Sequence, residues 1–454
     1  MADHQQDGTA SMPKNVIIIG GSLSGLMHGL MLHHLGCTVR ILEQSPTDTL
    51  VSHMAGVCLT ADVQTLVARF DRAREIPLGI PCVRMQKIDM EGKPHPVMRI
   101  NRLMTSWDAL YYRLRANFDS RVSAYVPHPP ALVPRADESM EAAKNRATYD
   151  FGKQVVNIEQ LKTGQLMVRY KDLKNGGKDG EAVADLVLGA DGWNSVVRKT
   201  FGGPNQAERK YSGYVAWRGT VPEDQVSEAT RNVFSENNSY LLLESAEGRG
   251  GHVIVYNIPG KDGSTQPGKR VLSFCWYTNI AESSLDNIMT DADGKRRRTH
   301  VPPGKIRCEV WEKQKAYART AFAFPFLEVI EKITSPFVLL VTDYYSPRAS
   351  FAGGKVLLVG DAATQLRPHL AYSTNQAAYH ALLTEKLVTG QLSAEDWEYQ
   401  VTTASYLHWR RALWFGEYFQ RPLYVSIGSA LHFWASSLLA VFRVWAGWLP
   451  EQAM

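Results

Sequence analysis

A glycine-rich turn and an acidic residue near the N-terminus have the spacing of a site for a phosphate-containing ligand. Gly20 and Gly25 fit the first and third glycines of G-x-G-x-x-G, and Ser22 replaces the second, where a small residue lets the backbone approach a pyrophosphate. Glu43 follows about 20 residues later, where a carboxylate can accept hydrogen bonds from ribose hydroxyls. The turn could instead expose Ser22 as a nucleophile, but G-x-S-x-G requires a glycine where Ser24 stands.

The segments around this turn favour the nucleotide-binding interpretation. The apolar run 16–19 predicts a buried parallel strand, and apolar residues spaced through 26–35 predict a helix that ends at Gly36. Residues 38–42 predict a second strand, which stops at Glu43. A strand, a glycine turn, a helix, a strand and an acid in this order are typical of a Rossmann-type nucleotide site.

Two later segments repeat the pattern of a buried strand followed by a turn with an aspartate. Asp191-Gly192 follows the strand-like run 186–190, and Gly360-Asp361 follows the run 356–359. A carboxylate at the end of a strand can accept hydrogen bonds from sugar or polyol hydroxyls. A helix is predicted to start near Thr374, and the amides at its start direct partial positive charge toward a ligand.

Composition limits the classes of protein that this chain can belong to. A length of 454 residues predicts two or more domains, and 44% hydrophobic with 21% charged residues is typical of a folded globular protein. The net charge of +5 is too diffuse to indicate nucleic-acid binding. The five cysteines form no C-x-x-C pair, so neither a disulfide framework nor a metal site is predicted.

The C-terminal region is unusually apolar. Residues 423–442 contain no Asp, Glu, Lys or Arg, and a stretch of roughly 20 apolar residues can span a bilayer. The alternatives are a helical hairpin packed on the protein, a membrane-surface or membrane-anchoring helix, and a partner interface. His432 and several serines disfavour full insertion into a membrane. We therefore expect this region to pack on the catalytic body or to contact a membrane peripherally, as two helices broken near Gly428 or Ser436-Ser437. Trp434, Trp445 and Trp448 would lie at the boundary between apolar and polar surroundings. The expected location is cytoplasmic, or peripheral on a membrane.

The three strand-and-turn motifs, in this order, resemble those of the single-component (class A) FAD-dependent aromatic hydroxylases and monooxygenases. The stretches "WDALYYRLR" (107–115), "YSGYVAWRGTVPE" (211–223) and "RPHLAYSTNQAA" (367–378) are similar to the branch of 2,6-dihydroxypyridine 3-hydroxylase and its fungal relatives. The resemblance covers about residues 16–421.

The resemblance implies an α/β fold (α+β overall), in which a Rossmann-like FAD-binding domain is joined to a mainly β-sheet substrate domain and an apolar C-terminal helical tail. Residues 14–205 and 340–420 would form the FAD-binding domain, after a disordered tail at 1–13. Residues 206–339, with a strand at about 83–99, would form the substrate domain, and 421–454 the tail.

The resemblance also implies which residues hold the FAD non-covalently. They are Gly20, Ser22, Leu23, Ser24, Gly25, Glu43, Gly56, Arg113, Asp191, Gly192, Gly360, Asp361, Pro368, Thr374 and Asn375. The chain departs from the family pattern at Trp107, where an arginine is usual, so that Arg102 or Arg113 would have to supply the charge.

The implied reaction uses NADPH or NADH and O₂ to hydroxylate a phenol-like or N-heteroaromatic small molecule through a flavin C4a-hydroperoxide, and suggests a role in secondary metabolism. A phenol is activated when a base removes its proton, and histidine is the natural base near neutral pH. His53, beside the flavin-facing segment, is the first candidate base and His369 the second. Tyr214 and Arg218 share a strand face by alternation and would line the pocket.

Other functions remain open at this stage. Epoxidation and Baeyer–Villiger insertion can use the same flavin chemistry. A non-catalytic FAD-binding chaperone for prenylated proteins would not consume NAD(P)H. A disulfide reductase would require a redox cysteine pair and a second nucleotide fingerprint, and this sequence has neither.

Overall fold

A computed structural model of the chain describes residues 12–48, 50, 55–132, 134, 138–203, 208–245 and 248–445. The predicted N-terminal tail up to residue 11, the candidate base His53, and Trp448 lie outside the described residues. Within the described part of the chain the strands are β1 (Asn15–Ile19), β2 (Thr38–Glu43), β3 (Gly56–Leu59), β4 (Ile80–Ile88), β5 (Pro94–Ser106), β6 (Ala147–Phe151), β7 (Lys153–Gln160), β8 (Leu166–Asp172), β9 (Lys178–Ala184), β10 (Leu186–Gly189), β11 (Lys210–Pro222), β12 (Asn237–Ser245), β13 (Gly248–Ile258), β14 (Val271–Asn279), β15 (His300–Val301), β16 (Phe337–Tyr345), β17 (Ser350–Phe351), β18 (Val356–Leu358) and β19 (Thr364–Gln365).

The α-helices connect these strands and form the C-terminus. They are α1 (Leu23–Leu35), α2 (Ala61–Phe70), α3 (Trp107–Asp119), α4 (Met140–Asn145), α5 (Val196–Phe201), α6 (Glu228–Phe234), α7 (Leu285–Met289), α8 (Cys308–Ala321), α9 (Phe324–Glu331), α10 (Ser373–Val388), α11 (Ala394–Gln420) and α12 (Leu423–Trp445).

The first sheet has the strand order β17-β18-β10-β1-β2-β6, and every pair except β17 with β18 is parallel. Residues 16–19 of β1 are buried, as a strand between two layers requires. Gly36 ends α1 in the left-handed region at φ 98°, as the sequence predicts. The carboxyl ends of β1, β2, β10 and β18 meet at one edge, which brings together the turns that begin at Gly20, Glu43, Asp191 and Gly360.

The second sheet is mainly antiparallel, with the order β15-β16-β11-β14-β13-β12-β4-β5-β3. Side chains of β14 alternate between its two faces. Phe274 and Trp276 belong to a core that includes Trp311 of α8 and Phe326 of α9, whereas Cys275 and Tyr277 lie in a separate cluster on the opposite face. The sheet is therefore covered by helices on one face and leaves the other for the site.

These two sheets confirm the predicted fold class. One detail differs: the segment expected to be a single strand at about 83–99 is a hairpin of β4 and β5, because the chain reverses in a turn where Gly92 N donates to Asp89 O at 3.1 Å. A third, three-stranded sheet, β7-β8-β9, follows the first.

The C-terminus is a helical hairpin of α11 and α12. The rings of Trp414 and Phe433 stack at 5.6 Å, and Ser429 donates to Glu417, so α12 runs antiparallel along α11. The expected break is wrong, because α12 is continuous from Leu423 to Trp445. Its Ser436 and Ser437 hydroxyls donate to carbonyls one turn earlier, at 2.8 and 2.9 Å, which satisfies these polar groups inside the helix.

Candidate active site

The glycine turn after β1 has no room for side chains. Gly20 has φ +99°, and a Cβ there would lie 2.4 Å from the carbonyl oxygen of Ala190. A Cβ on Gly25 would lie 2.0 Å from the carbonyl oxygen of Gly20. Both positions therefore require glycine.

Glu43 closes this turn from the neighbouring strand. Its carboxylate accepts a hydrogen bond from Gly21 N at 2.8 Å and a second from Ser45 N at 2.8 Å. Tyr149 adds a third support, because its hydroxyl donates to Gly21 O at 2.9 Å. Each carboxylate oxygen can accept a further bond, so Glu43 both holds the turn and can bind a hydroxyl group.

The turn opens into a cavity of about 450 Å³, here named the first cavity. It is lined by five of the residues predicted to hold FAD: Gly20, Ser22, Glu43, Asp191 and Gly192. Leu23, Ser24 and Gly25 do not line it; Leu23 and Gly25 are buried in the first turn of α1 behind it. Lys153 and Lys199 stand at its border and supply positive charge.

Asp191 has a second role that the motif alone did not predict. One carboxylate oxygen accepts a hydrogen bond from Val196 N at 2.6 Å, so that it helps to cap α5. The other oxygen is buried and has no hydrogen-bond partner among the described residues. Burial raises the pKa of this carboxyl group. An oxygen in this state is suited to accept a bond from a ligand hydroxyl.

Asp361 presents the second unpartnered carboxylate. Gly360 turns the chain at φ +57°, and its N–H donates to Nδ1 of the buried His380 at 3.1 Å. Asp361 has no hydrogen-bond partner among the described residues, and burial raises its pKa to about 6. A carboxylate that folding leaves unpaired is costly unless a ligand supplies donors.

A second cavity, of about 270 Å³, lies between the open face of the second sheet and the loop that precedes α10. It is lined by five of the predicted site residues: Gly56, Arg218, Pro368, His369 and Thr374. Asn375 is buried beneath this loop, where its side chain accepts a hydrogen bond from Asp62 N at 3.0 Å. It therefore fixes the loop to the start of α2.

His369 lines the second cavity and pairs with Tyr214, which was expected to line the cavity but does not belong to its described lining. Tyr214 is buried, and its hydroxyl lies 2.8 Å from His369 Nε2. Burial, then His252 and Arg367, hold the pKa of His369 well below its usual value. Its Nδ1 has no hydrogen-bond partner among the described residues. This buried nitrogen is the ring atom of His369 that has no partner in the described protein.

Arg218 and Arg102 give the second cavity its charge. Both line it, and neither forms an ion pair with a described residue. No Asp or Glu belongs to the described lining. A guanidinium group that is removed from water without a carboxylate partner is suited to bind an anionic ligand.

Arg113 was expected at the cofactor, and the structure corrects this expectation. Its guanidinium group donates to Asp71 at 2.7 Å and to the carbonyl oxygens of Ala73 and Ile76 at 2.7 and 2.6 Å. Arg113 lines neither cavity. It faces into the protein because Asp71 is buried and requires a positive partner.

The sequence did not reveal an aromatic cluster around His252. His252 stacks on Tyr277 at 4.7 Å and on Phe419 at 4.1 Å, and its ring centre lies 5.2 Å from that of His369. All four side chains line the second cavity, together with Tyr240 and Tyr256. The only available signal was alternation along "HVIVYNI", which places His252 and Tyr256 on one face of β13.

Comparisons with known proteins show what this chain is similar to. The family model for an FAD binding domain-like protein matches residues 211–343. The chain is 29% identical to 2,6-dihydroxypyridine 3-monooxygenase from Paenarthrobacter nicotinovorans over 392 residues, covering 84% of this chain and 86% of the relative. It is 24% identical to salicylate hydroxylase from Pseudomonas putida over 381 residues, covering 82% and 76%.

A solved structure gives the same result. The structure of 2,6-dihydroxypyridine-3-hydroxylase from Arthrobacter nicotinovorans superposes with a TM-score of 0.72 at 27% identity, covering 91% of this chain and 94% of that chain. The nucleotide turn and the sheet-lined cavity thus occur in a chain that resembles these hydroxylases over most of its length. The chain resembles the class A FAD-dependent aromatic hydroxylases, and among them the 2,6-dihydroxypyridine 3-hydroxylase branch.

Proposed function

We propose that this FAD-dependent monooxygenase uses NAD(P)H and O₂ to hydroxylate a small aromatic or N-heteroaromatic ring that carries an acidic hydroxyl or carboxyl group. One observation carries the proposal: the second cavity contains two arginines and no acidic residue among its described lining. The relatives named for dihydroxypyridine and salicylate act on rings of this kind.

The described residues fit FAD. Gly20 and Gly25 leave backbone room for a pyrophosphate, Glu43 can accept from a ribose hydroxyl, and the unpaired carboxylate of Asp361 can accept from the polyol chain. These contacts are hydrogen bonds, so the cofactor is held non-covalently. Bound FAD would supply the chemistry of accepting a hydride from NAD(P)H and of activating O₂, so that one oxygen atom enters the ring and the other leaves as water.

The protein binds and orients the substrate. Arg218 and Arg102 attract the acidic group, and the aromatic side chains of the second cavity exclude water around the ring. His369 takes a proton from the substrate hydroxyl at Nδ1 when its Nε2–H donates to the Tyr214 oxygen. Because burial holds the pKa of His369 low, this transfer depends on the phenolate charge that forms beside the imidazolium. A phenolate is more electron-rich than a phenol, so this proton transfer activates the ring carbon for attack. His53 remains a further predicted base.

A substrate screen tests this proposal. The holoenzyme is supplied with 2,6-dihydroxypyridine, salicylate and related rings, and both NAD(P)H consumption and a mass gain of one oxygen are followed. We expect coupled consumption and oxygenation for at least one acidic ring. NAD(P)H oxidation without an oxygenated product from any of these rings would contradict the proposal, and no consumption at all would favour the non-catalytic alternative.

We also propose that the protein is cytoplasmic and contacts a membrane through α12. Among the described residues, Leu423–Arg443 forms a helix long and apolar enough to cross a bilayer, and 11% of its most apolar window is buried. The distribution of polar and apolar side chains on α12 is the reverse of that on a helix at a water-exposed protein surface. Small and polar residues such as Ser426 and Ala440 face the protein, while large apolar side chains are exposed: Leu423, Tyr424, Ile427, Leu431, Trp434, Leu438, Leu439, Val441, Phe442 and Trp445.

A helix of this kind supports a lipid environment, because a helix in water places its apolar face inward. If α12 spanned the bilayer, the part of α11 that packs beside it, including Arg410 and Arg411, would also enter the bilayer. A helix that lies in the membrane plane avoids this cost.

Membrane fractionation tests the contact. We expect the protein to pellet with membranes and to be released by a carbonate wash at high pH. The double variant Leu431→Lys with Leu438→Lys should stay in the soluble fraction. Lysine at the exposed positions Val122 and Tyr317 adds the same charge elsewhere, and that variant should still pellet with membranes. Retention in the pellet after carbonate would instead support a transmembrane span.

A further inference from the structure

The last turn of α11 forms part of the wall of the second cavity. Phe419 lines the cavity, and the next residue, Gln420, is 1% exposed. The carbonyl oxygen of Gln420 accepts a hydrogen bond from Asn279 Nδ2 at 2.8 Å, and its side-chain Nε2 lies 3.2 Å from His252 Nδ1. The end of α11 is thereby bound to β13 and β14 at the substrate cavity.

Stacking holds the ring of His252 in one plane. Tyr277 and Phe419 lie nearly parallel to it, with interplanar angles of 19° and 25°. These contacts do not determine which ring nitrogen carries the proton. That choice depends on hydrogen-bond partners.

Gln420 supplies the partner that decides it. With the amide nitrogen of Gln420 facing the ring, Gln420 donates, Nδ1 of His252 accepts, and the ring proton lies on Nε2. Burial lowers the pKa of His252 to about 3, so the ring stays neutral and carries one N–H at physiological pH. Nε2 has no hydrogen-bond partner among the described residues, and the ring lines the cavity.

We propose that Gln420 is a positioning residue whose amide holds His252 in the Nε2–H form, so that His252 donates a hydrogen bond to an oxygen of the aromatic substrate. This inference rests on the proposed function, because it requires the substrate to occupy the second cavity. The two histidines then have opposite roles: His252 donates to a substrate oxygen, and His369 accepts the substrate proton.

The test compares variants of the holoenzyme, with 2,6-dihydroxypyridine as the probe. The variants are Gln420→Met, which removes the donor at similar size, Gln420→Glu, which replaces the donor by an acceptor, His252→Phe, and the double variant Gln420→Met with His252→Phe. The dissociation constant is read from the change in flavin absorbance on probe binding, and kcat and KM from NAD(P)H consumption. Gln400→Met is the matched control, because Gln400 is also buried on α11 and lines neither cavity.

Gln420→Met should weaken probe binding about five- to tenfold, the effect of one lost hydrogen bond. Gln420→Glu should weaken it more, because a carboxylate accepts from Nδ1–H and turns Nε2 into an acceptor. Gln420→Met should have no further effect when His252 is already Phe, since Gln420 acts through that ring. FAD content should be unchanged in all variants, and the control should bind the probe normally.

Two results would overturn the inference. Additive effects in the double variant would show that Gln420 acts through the fold, and normal probe binding by Gln420→Glu would show that the donor direction is irrelevant. If the wild type binds neither 2,6-dihydroxypyridine nor salicylate, the proposed substrate class itself fails, and this inference fails with it.

Discussion

The two cavities differ in how their lining residues are distributed along the chain. The first cavity is built mainly from turns that directly follow strands of one parallel sheet, so each contact belongs to a short motif. The second cavity is assembled from β3, β4, β5, β11, β12, β13, β14, the loop before α10 and the end of α11. If FAD occupies the first cavity and the substrate the second, as proposed, cofactor binding is encoded locally, whereas substrate recognition depends on strand register and on the packing of distant elements.

This contrast predicts that changes in the first cavity act through backbone geometry and changes in the second through side-chain chemistry. Substitutions at four positions test this, from the largest expected effect to the smallest.

Gly20→Ala should abolish most FAD binding. The added Cβ would lie 2.4 Å from the carbonyl oxygen of Ala190, at φ +99°, so the turn must shift. We expect the free energy of unfolding to fall by about 3 kcal/mol, because the backbone is strained at this φ and the turn is displaced by the clash. FAD content and the urea midpoint measure this. Gly176→Ala is the control, because Gly176 has φ +70° with nothing within 4 Å and should keep its FAD. Normal FAD content in Gly20→Ala would disprove the role of the turn.

Arg218→Met should weaken binding of an acidic aromatic probe and leave FAD binding unchanged. Loss of a charge-assisted hydrogen bond costs about 1.5–3 kcal/mol, which makes the dissociation constant about 10- to 150-fold larger. Titration with salicylate, followed by flavin absorbance, measures it. Arg169→Met, which changes an exposed arginine on β8, should bind the probe normally. An equal loss of FAD in Arg218→Met would instead place the arginine at the cofactor.

The same contrast explains what the sequence could and could not predict. Gly20, Glu43, Asp191 and Asp361 were found because their positions follow from strand ends and local turns. His252, Tyr277 and Phe419 were missed because they meet only through the pairing of β13 with β14 and the placement of the last turn of α11.

Two incorrect expectations have local physical causes. Arg113 was placed at the cofactor because a helical sequence does not reveal which face meets a buried acid such as Asp71. The break expected in α12 is absent because serine hydroxyls bond to carbonyls one turn earlier and need no external partner.

Asp361 should make FAD binding depend on pH. Burial raises its pKa to about 6, and ligand hydroxyls that donate to it favour the ionised form. FAD affinity should therefore rise as the pH increases from 5 to 7, by up to about tenfold per unit below the pKa. The apoprotein should show the opposite trend: this raised pKa adds stability below about pH 4, near the unfolded value, and that stability is lost as the pH rises through about 6.

Asp361→Asn removes the titrating group, so FAD affinity should become weaker and nearly independent of pH, and Asp361→Ala should reduce FAD occupancy further. Fluorescence titration of free FAD at each pH measures both effects. The same pH slope in Asp361→Asn as in the wild type would assign the dependence to another group.

Tyr214→Phe should have the smallest effect, and on catalysis alone. The hydroxyl lies 2.8 Å from His369 Nε2, and Tyr214 does not line the second cavity, so its loss removes the orienting partner of His369 without changing the surface that the substrate meets. We expect kcat to fall about three- to tenfold, the cost of one neutral hydrogen bond, with an unchanged dissociation constant for the probe. Stopped-flow measurement of the oxygenation step separates it from FAD reduction, which should proceed at the wild-type rate. Weaker probe binding with a normal oxygenation rate would mean that Tyr214 supports the packing around the site and does not act by orienting His369.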